Sequence, residues 1–371
     1  MIYLDSAATS FIKPKGVSAA MQNALRTMSS PGRGTYRQAM NAADMVYNCR
    51  ELVCRLFNFD EPERVVFTHN ATHALNIAIR STVSRGSRML ISGYEHNSVT
   101  RALKGAGAEI LVAASELFEP DKAVAAFESK IADADAVICN HISNVFGYVL
   151  PVYEIAELCR IYGKPFILDA SQSAGVCDID FKKLGAAFIA MPGHKGLLGP
   201  QGTGILICGA DADPLIYGGT GSDSRLQDMP EYLPDRAEAG TLNVVGIAGL
   251  KAGIEYVMKR TPEKLGRAER AICGAMAEKL AKLPQTEVFS ANNGSQAGVL
   301  SVRHAALDCE TLCQRLGASG IAARCGLHCS PLAHNTAGTI DTGTLRFSFS
   351  PFTTFAQADE ACRIMERIIE Y

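Results

Sequence analysis

A single lysine lies in a turn that is rich in glycine and proline. The segment 190–204 reads Ala-Met-Pro-Gly-His-Lys-Gly-Leu-Leu-Gly-Pro-Gln-Gly-Thr-Gly, so Lys195 stands among five glycines and two prolines. An amine held in a rigid turn at the end of a buried strand is well placed for covalent chemistry, for example a Schiff base with an aldehyde. The alternative is an ordinary glycine-rich hairpin with a solvated lysine, because glycine and proline are common in turns.

Two further candidate sites follow short apolar runs. Ala71 and Thr72 come after the run 65–67 and open a predicted helix, whose free N–H groups and Thr72 hydroxyl suit a phosphate. A simple helix N-cap is the alternative at this position. His96 follows the run 89–92 and is a candidate for stacking on an aromatic ring, although an isolated histidine is more often structural.

Asn144 and Asp169 follow two more apolar runs. The Asn144 amide is a candidate donor to a cofactor oxygen or to a substrate carboxylate. Burying the Asp169 carboxylate is costly unless it meets a positive group, and a protonated pyridine nitrogen is such a group. Together, Asp169 and Lys195 supply an anion for a ring nitrogen and an amine for an aldehyde, the two groups that pyridoxal 5'-phosphate most needs.

Seven short apolar runs indicate the strands that must position these residues. They are 65–67, 88–92, 109–113, 136–140, 166–169, 187–190 and 204–208. Helical patterns occur at 15–28, 40–57, 71–82, 121–131 and 152–162. This alternation predicts an α/β domain with a largely parallel sheet, in which ligands bind at the carboxyl ends of the strands. The last two strands are expected to form an antiparallel pair, because the Lys195 turn contains no obvious helix.

The remainder of the chain predicts a smaller second unit. Residues 209–240 are irregular and are expected to form a functional loop or hairpin extension. The later elements are helices at 243–259, 262–283, 308–316 and 355–371, and strands at 298–302 and 344–349. We therefore expect an N-terminal segment 1–14, a large domain 15–259 and a small C-terminal α+β domain 260–371.

Composition excludes several classes of protein. The chain has 371 residues, of which 47% are hydrophobic and 20% charged, so a substantial core is expected and disorder is not. A net charge of −2 gives no reason to expect binding to nucleic acid or to a membrane surface. No apolar stretch is long enough to span a bilayer, and we expect a soluble, cytoplasmic protein. The twelve scattered cysteines lack close zinc-type spacing, so most are expected to be buried reduced thiols, and no metal site is expected.

The complete pattern resembles the class V aminotransferase family of fold type I pyridoxal 5'-phosphate enzymes, and within it the cysteine desulfurases and selenocysteine lyases. The resemblance runs from Tyr-Leu-Asp-Ser-Ala-Ala-Thr (3–9) to Leu-Arg (345–346). It implies a fold type I architecture, with a mainly parallel seven-stranded sheet in the large domain and a smaller C-terminal α+β domain. It also implies pyridoxal 5'-phosphate as cofactor and a homodimer.

The resemblance implies a role for each candidate residue. Lys195 would form the Schiff base with the cofactor. The phosphate would be bound by Ala71, Thr72 and His194, the ring by His96 and Asp169, and the phenolate side by Gln172 and Asn144. Asn144 and Arg346 would bind the substrate carboxylate, and Arg324 and Arg33 are further candidates for substrate binding. Arginine suits this role because its planar fork can bond both oxygens. Thr241, in Ala-Gly-Thr-Leu-Asn, matches the residue that reaches the phosphate of the neighbouring subunit.

The segment Arg-Cys-Gly-Leu-His-Cys (324–329) resembles the Arg-x-Gly-x-His-Cys segment of the group II desulfurases, whose last cysteine accepts the sulfur. Cys329 is therefore the expected nucleophile, because a thiolate attacks sulfur well. With Lys195 and His96 it completes the expected catalytic set. Residues 329–346 are expected to form the loop that carries Cys329. Cys325 is either a resolving thiol or a small side chain that fills its position.

Pro192 is a departure from the family pattern. It stands three residues before Lys195, where the family usually has a hydroxyl residue. One phosphate hydrogen bond is therefore missing. Thr220 or Ser222 is expected to replace it.

The expected function is that of a cysteine desulfurase, which converts L-cysteine to L-alanine and leaves a persulfide on Cys329. A selenocysteine lyase acting on L-selenocysteine would use the same residues. The pattern is also compatible with a different class V reaction, such as transamination or C–S elimination, and with a non-catalytic scaffold. An acceptor protein for sulfur or selenium is a further possible partner.

Overall fold

The computed structural model describes residues 1–32 and 34–370 and consists of alternating strands and helices. The strands are β1 (Ile2–Tyr3), β2 (Val65–Thr68), β3 (Arg88–Ser92), β4 (Glu109–Ala113), β5 (Ala136–Asn140), β6 (Phe166–Asp169), β7 (Phe188–Pro192), β8 (Gly204–Cys208), β9 (Thr286–Phe289), β10 (Val299–His304), β11 (Ile321–Ala322), β12 (Arg324–Gly326) and β13 (Thr344–Ser348). The α-helices are α1 (Lys15–Thr27), α2 (Arg37–Phe57), α3 (Ala71–Thr82), α4 (Asn97–Gly105), α5 (Pro120–Ile131), α6 (Val152–Ile161), α7 (Phe181–Leu184), α8 (Val244–Arg260), α9 (Pro262–Leu280), α10 (Cys309–Ala318), α11 (Pro331–Thr336) and α12 (Phe355–Glu370).

Seven strands form the central sheet, in the order β2-β8-β7-β6-β5-β3-β4. The pairs among β7, β6, β5, β3 and β4 are parallel, whereas β8 runs antiparallel to both β7 and β2. The predicted mainly parallel sheet and the predicted antiparallel pair around Lys195 are both confirmed. All seven predicted apolar runs are strands of this sheet.

The sheet is buried on both faces. Successive side chains of a strand point to opposite faces, so Val65 and Phe67 pack in one core cluster while Val66 packs in another. The same alternation places Val137 and Ile138 on opposite sides. Strands covered by helices on both faces are apolar at nearly every position, which is why short apolar runs located them correctly.

A second sheet, with the order β12-β13-β10-β9, is antiparallel and belongs to a smaller α+β unit. Its separate core contains side chains of α9, α10 and α12 and also Leu4 of the N-terminal segment. The expected smaller α+β unit is thus present. The domain boundary at residue 259 remains a prediction. It is supported by helix α9, which begins at Pro262 and packs in this second core.

Several elements were absent from the sequence prediction. Strand β9 is only partly buried, and its four residues, Thr-Glu-Val-Phe, do not form an apolar run. Helix α4 begins after an unusual N-cap, His96, whose ring nitrogen Nδ1 accepts the N–H of Ser98. The prediction of one loop over 329–346 is wrong, because Pro331 at the first position starts the short helix α11 and β13 begins at Thr344.

The N-terminal segment connects the smaller unit to the Lys195 turn. Strand β1 pairs in parallel with β11 of the smaller unit, and the N–H of Ser10 then donates to the carbonyl of His194 at 3.0 Å. The segment between β8 and α8 contains no regular element, as predicted for 209–240. Within residues 1–32 and 34–370, no helix combines the length and apolarity needed to cross a membrane.

A buried ion pair fixes the irregular segment before α8. Glu238 accepts from Arg50 of α2 at 2.7 Å and from the N–H of Phe67 at 2.5 Å, and the side chains of the ion pair are only 4% and 6% exposed. Removing one partner of a buried pair leaves the other charge without compensation. The position of residues 238–241 therefore depends on this carboxylate.

We predict that Glu238→Ala lowers the free energy of unfolding by about 3–5 kcal/mol, because Arg50 stays buried without an anion. The matched control is Glu116→Ala, which removes an exposed ion pair to Lys122 and should cost less than about 1 kcal/mol. Denaturant unfolding followed by circular dichroism measures both. Equal losses in the two variants would contradict the prediction.

Candidate active site

The carboxyl ends of β3, β5, β6 and β7 face a cavity. Eight of the candidate binding residues line it, together with Pro192: Ala71, Thr72, His96, Asn144, Asp169, Gln172, His194 and Lys195. They come from separate segments of the chain. The rule that ligands bind at the carboxyl ends of parallel strands predicts that these residues lie together, and the structure does bring them around one cavity. Their roles in binding remain predictions.

The Lys195 turn is tightly packed. A Cβ added to Gly193 would lie 2.2 Å from Thr203 Oγ1, so only glycine fits there. The N–H of Gly193 donates to the carbonyl of Thr203, and the N–H of Gly199 donates to the carbonyl of Gly193. Burial lowers the pKa of Lys195 to about 8, with Asp169 acting in the opposite direction. About a tenth of the amine is therefore neutral, and nucleophilic, at pH 7.

The N-terminal segment holds His194 from the opposite side. Thr9 Oγ1 lies 3.0 Å from His194 Nδ1, and Lys13 Nζ donates to the His194 carbonyl at 3.1 Å. Burial, with smaller effects from Lys195 and Lys13, lowers the pKa of His194 to about 4. His194 is therefore a neutral hydrogen-bonding group at neutral pH.

Two helices direct their N-termini at one end of the cavity. Thr72 lies in the first turn of α3 and Ser98 in the first turn of α4, and their hydroxyl oxygens are 2.9 Å apart. Neither first turn contains an acidic side chain. Free N–H groups and the positive ends of two helix dipoles favour an anion such as a phosphate at this end.

His96 is fixed in one tautomer. Its Nδ1 accepts the N–H of Ser98 at 3.0 Å, so the ring proton is on Nε2. Burial, reinforced by nearby positive charges of which Lys195 is the largest, lowers the pKa of His96 to about 4. The ring that lines the cavity is therefore uncharged.

Asp169 lies at the end of β6, 4% exposed, and accepts the N–H of Ser171 at 2.9 Å. Burial raises its pKa, whereas Ser171 and Lys195 act to lower it. A carboxylate in this position calls for a cationic partner to remain ionised. Beside it, burial raises the pKa of Glu95 to about 8, so Glu95 carries a proton at neutral pH.

The segment that carries Cys329 has an unusual backbone and is held at three points. His328 and Cys329 adopt φ angles of 49° and 60°, in the left-handed region that non-glycine residues rarely occupy. Asn144 Nδ2 donates to the His328 carbonyl at 2.8 Å, and Ser330 Oγ donates to Asn144 Oδ1 at 2.7 Å. The N–H of Asn97 donates to the Cys329 carbonyl at 2.9 Å. The Asn144 amide thus contacts the segment of the expected nucleophile.

Two arginines lie opposite each other on β12 and β13, because Arg324 and Arg346 are paired across the strands. Arg324 Nη2 lies 3.8 Å from Cys329 Sγ. Arg346 is 1% exposed, donates to the Asn144 carbonyl at 2.9 Å and forms an ion pair with Asp5 at 2.6 Å. The two guanidinium groups form a positive region suited to a carboxylate.

Cys329 is the exposed thiol of this chain. All twelve cysteines are free in the described residues; eight are buried and three are half-buried. Cys325 packs against the core of the smaller unit, with its thiol beside that of Cys313. This position agrees with Cys325 being a small side chain that fills space.

Six expected residues do not line this cavity. Arg324, Cys329 and Arg346 are three of them, and they connect to the cavity through Asn144. Thr241, Thr220 and Ser222 line a different cavity beside Arg50, and Ser222 donates to Asp235 at 2.5 Å. Within this subunit, the expected replacement of the Pro192 contact by Thr220 or Ser222 is therefore not made. Arg33 lies outside the described residues.

Sequence reasoning missed several residues that contact the predicted set, among them Asp5, Lys13, Ser98 and Ser330. Ser98 lies two residues after His96, and Ser330 directly follows Cys329. Their closeness in sequence to these candidates could have indicated both serines. Asp5 contacts Arg346 across 341 positions of sequence, and no local pattern indicates such a contact.

We predict that Ser330→Ala loosens the Cys329 segment. The change removes the donor to Asn144 Oδ1, a bond of about 1 kcal/mol, so amide hydrogen exchange over 327–331 should accelerate about fivefold. Ser319→Ala, which removes an exposed hydroxyl bonded to the Arg315 carbonyl, is the matched control and should leave this segment unchanged. Unaltered exchange in Ser330→Ala would show that Ser330 does not hold the segment.

Known proteins resemble this chain over its whole length. A protein of Pyrococcus abyssi described as a probable cysteine desulfurase is 31% identical, with 100% of this chain and 94% of the relative covered. A second probable cysteine desulfurase, from Methanothermobacter thermautotrophicus, is 30% identical over 91% of this chain and 88% of the relative. The solved structure of a cysteine desulfurase from Thermococcus onnurineus NA1 matches with a TM-score of 0.90 at 29% identity, covering 100% of this chain and 94% of the other. The sequence model of the family described as Aminotransferase class-V matches residues 2–360, and the chain belongs to that family.

Proposed function

We propose that this protein is a pyridoxal 5'-phosphate-dependent cysteine desulfurase. The main support is the exposed Cys329 thiol, whose Sγ lies 3.8 Å from Arg324 Nη2. The neighbouring His328 carbonyl accepts from Asn144 Nδ2, and Asn144 lines the cavity that contains Lys195. Asn144 thus connects the segment of the nucleophilic sulfur to the cavity of the amine, which supports their acting on one substrate. The similarity to proteins described as cysteine desulfurases supports the same activity.

The residues of the cavity fit this cofactor. The N-termini of α3 and α4 suit its phosphate, the neutral His96 ring suits its aromatic face, and the buried Asp169 suits a protonated ring nitrogen. When bound, the cofactor supplies an electron sink for charge that develops at the substrate Cα. Gln172 also lines the cavity, and its Nε2 donates to the Ala7 carbonyl at 3.0 Å.

The chain's own groups account for the remaining steps. Arg346 and Arg324 bind the carboxylate of L-cysteine, and Asn144 lies beside them. Lys195 Nζ, with its pKa lowered by burial, takes the proton from the substrate Cα. The Cys329 thiolate then attacks the substrate sulfur: the Cβ–S bond breaks, an S–S bond forms, and Cβ gains a proton. Lys195 Nζ then returns a proton to Cα. The products are L-alanine and a Cys329 persulfide.

Further features of the proposal concern assembly and location. We propose a homodimer in which Thr241 of one subunit reaches the phosphate bound by the other. Exposed apolar side chains within the irregular segment, such as Tyr217 and Leu226, support an interface there.

Free thiols throughout the described chain support a reducing, cytoplasmic environment. An acceptor protein would take the sulfur from Cys329.

We predict that Cys329→Ala abolishes persulfide formation from L-cysteine but retains cofactor uptake, because the thiol lies outside the cofactor contacts. Mass spectrometry after incubation with L-cysteine locates the added sulfur. Cys325→Ala, which changes a thiol facing the smaller core, is the matched control and should form persulfide at the normal rate. Persulfide at the normal rate in Cys329→Ala would disprove the assignment, and a parallel incubation with L-selenocysteine compares the two substrates.

We also predict the pH dependence of cofactor uptake. Only the neutral amine of Lys195 reacts, so uptake by the apoprotein should rise about tenfold per pH unit below 8 and level off above about 8, where its pKa lies. Absorption spectroscopy of apoprotein mixed with pyridoxal 5'-phosphate follows the uptake. Lys195→Ala is the control and should give no covalent uptake. A midpoint near 10.5, the ordinary lysine value, would contradict the effect of burial.

A further inference from the structure

Pro192 leaves the phosphate end of the cavity short of a hydrogen-bond donor. It is buried at the end of β7 and lines the cavity together with Thr72 and His194. Proline has neither a side-chain hydroxyl nor a backbone N–H, so this position offers nothing to an anion. A dianionic phosphate needs several donors, and another residue at the same end of the cavity has to supply the missing one.

Ser98 lies at that end and has a hydroxyl. Its Oγ is 2.9 Å from Thr72 Oγ1 and 2.8 Å from His96 Nδ1, and Ser98 lines the same cavity as Pro192. Ser98 is half-buried and belongs to the first turn of α4, where the backbone N–H groups also point toward the cavity end. Its hydroxyl therefore stands between a helix N-terminus and the Thr72 hydroxyl.

The Ser98 hydroxyl proton is available to a ligand. His96 Nδ1 has one lone pair and already accepts the Ser98 backbone N–H at 3.0 Å. The hydroxyl proton is a second donor to the same lone pair. A hydroxyl rotates freely about its C–O bond, so turning it toward an anion leaves the His96 ring fixed by the backbone N–H.

The local charge also favours an anion at this position. The first turns of α3 and α4 contain no acidic side chain, and His96 is neutral. A hydrogen bond from a hydroxyl to a charged oxygen contributes more than a bond between neutral groups. The Ser98 hydroxyl thus has a favourable partner in a bound phosphate.

We propose that Ser98 donates its hydroxyl hydrogen bond to the phosphate of pyridoxal 5'-phosphate and takes the place of the donor that is absent at Pro192. This inference rests on the proposed cofactor of the enzyme. Ser98 is a binding residue in this role, and it also links the phosphate end to the ring end of the site through its backbone bond to His96.

The test compares the apoprotein's affinity for pyridoxal 5'-phosphate with that for pyridoxal, which lacks the phosphate. Ser98→Ala should weaken binding of the phosphorylated ligand about tenfold or more and leave pyridoxal binding unchanged, because only the phosphate contact is lost. Equilibrium dialysis gives both dissociation constants without any activity measurement. Adding Pro192→Ser to Ser98→Ala should restore affinity for the phosphorylated ligand, since it returns a hydroxyl to the cavity end.

Two control variants keep the test decisive. Thr100→Ala removes a hydroxyl two residues further along the same helix, where it contacts Asn97, and should leave both affinities unchanged. Ser98→Thr retains a hydroxyl and should bind the phosphorylated ligand nearly as well as the native chain, which separates loss of the donor from misfolding. An equal loss for both ligands in Ser98→Ala, or no loss for either, would overturn the proposal. Failure of the native chain to bind pyridoxal 5'-phosphate would instead overturn the proposed function.

Discussion

One buried guanidinium connects the separate parts of this structure. Arg346 is 1% exposed and lies on the second sheet, yet it bonds to Asp5 of the N-terminal segment and to the backbone of Asn144, which follows the central sheet. A buried charge is costly without partners, and Arg346 Nε still lacks one among the described residues. The Asp5 carboxylate therefore stabilises both the charge and the arrangement of these three segments. Asn144 in turn holds the Cys329 segment, so the nucleophile depends on contacts that begin at residue 5.

The electrostatics of the cavity select for anions. Burial keeps His96 and His194 neutral at neutral pH, and it lowers the pKa of Lys195 to about 8. Positive charge near the cavity comes from Arg324 and Arg346, which both act to lower the pKa of Lys195, and partial positive charge comes from the helix N-termini. A ligand that carries a carboxylate and a phosphate matches these two features. The buried Asp169, which also lines the cavity, favours a cationic partner.

The parts of the site that follow strands were predictable, and the parts formed by contacts across the fold were not. Asp169 and Lys195 could be located because buried strands are apolar on both faces and the next polar residue marks the strand's carboxyl end. Asn144 was expected to contact a ligand, but its amide bonds to the Cys329 segment, which is distant in sequence. Helix α11 is short and was hidden by the small polar residues around it. Ser98 escaped because a histidine N-cap gives no ordinary helix-start signal.

The consecutive left-handed torsions at His328 and Cys329 have a consequence for the balance between two conformations of this segment. Such a torsion costs a non-glycine residue about 1–2 kcal/mol, so the pair costs about 2–4 kcal/mol relative to an ordinary backbone. Three hydrogen bonds, at about 1 kcal/mol each, offset a similar amount. The strain at the nucleophile is therefore opposed by a few individual contacts, and the loss or gain of one contact of about 1 kcal/mol changes the ratio of held to released conformations several-fold. The position of the sulfur thus depends on single hydrogen bonds and not on a broad packed surface.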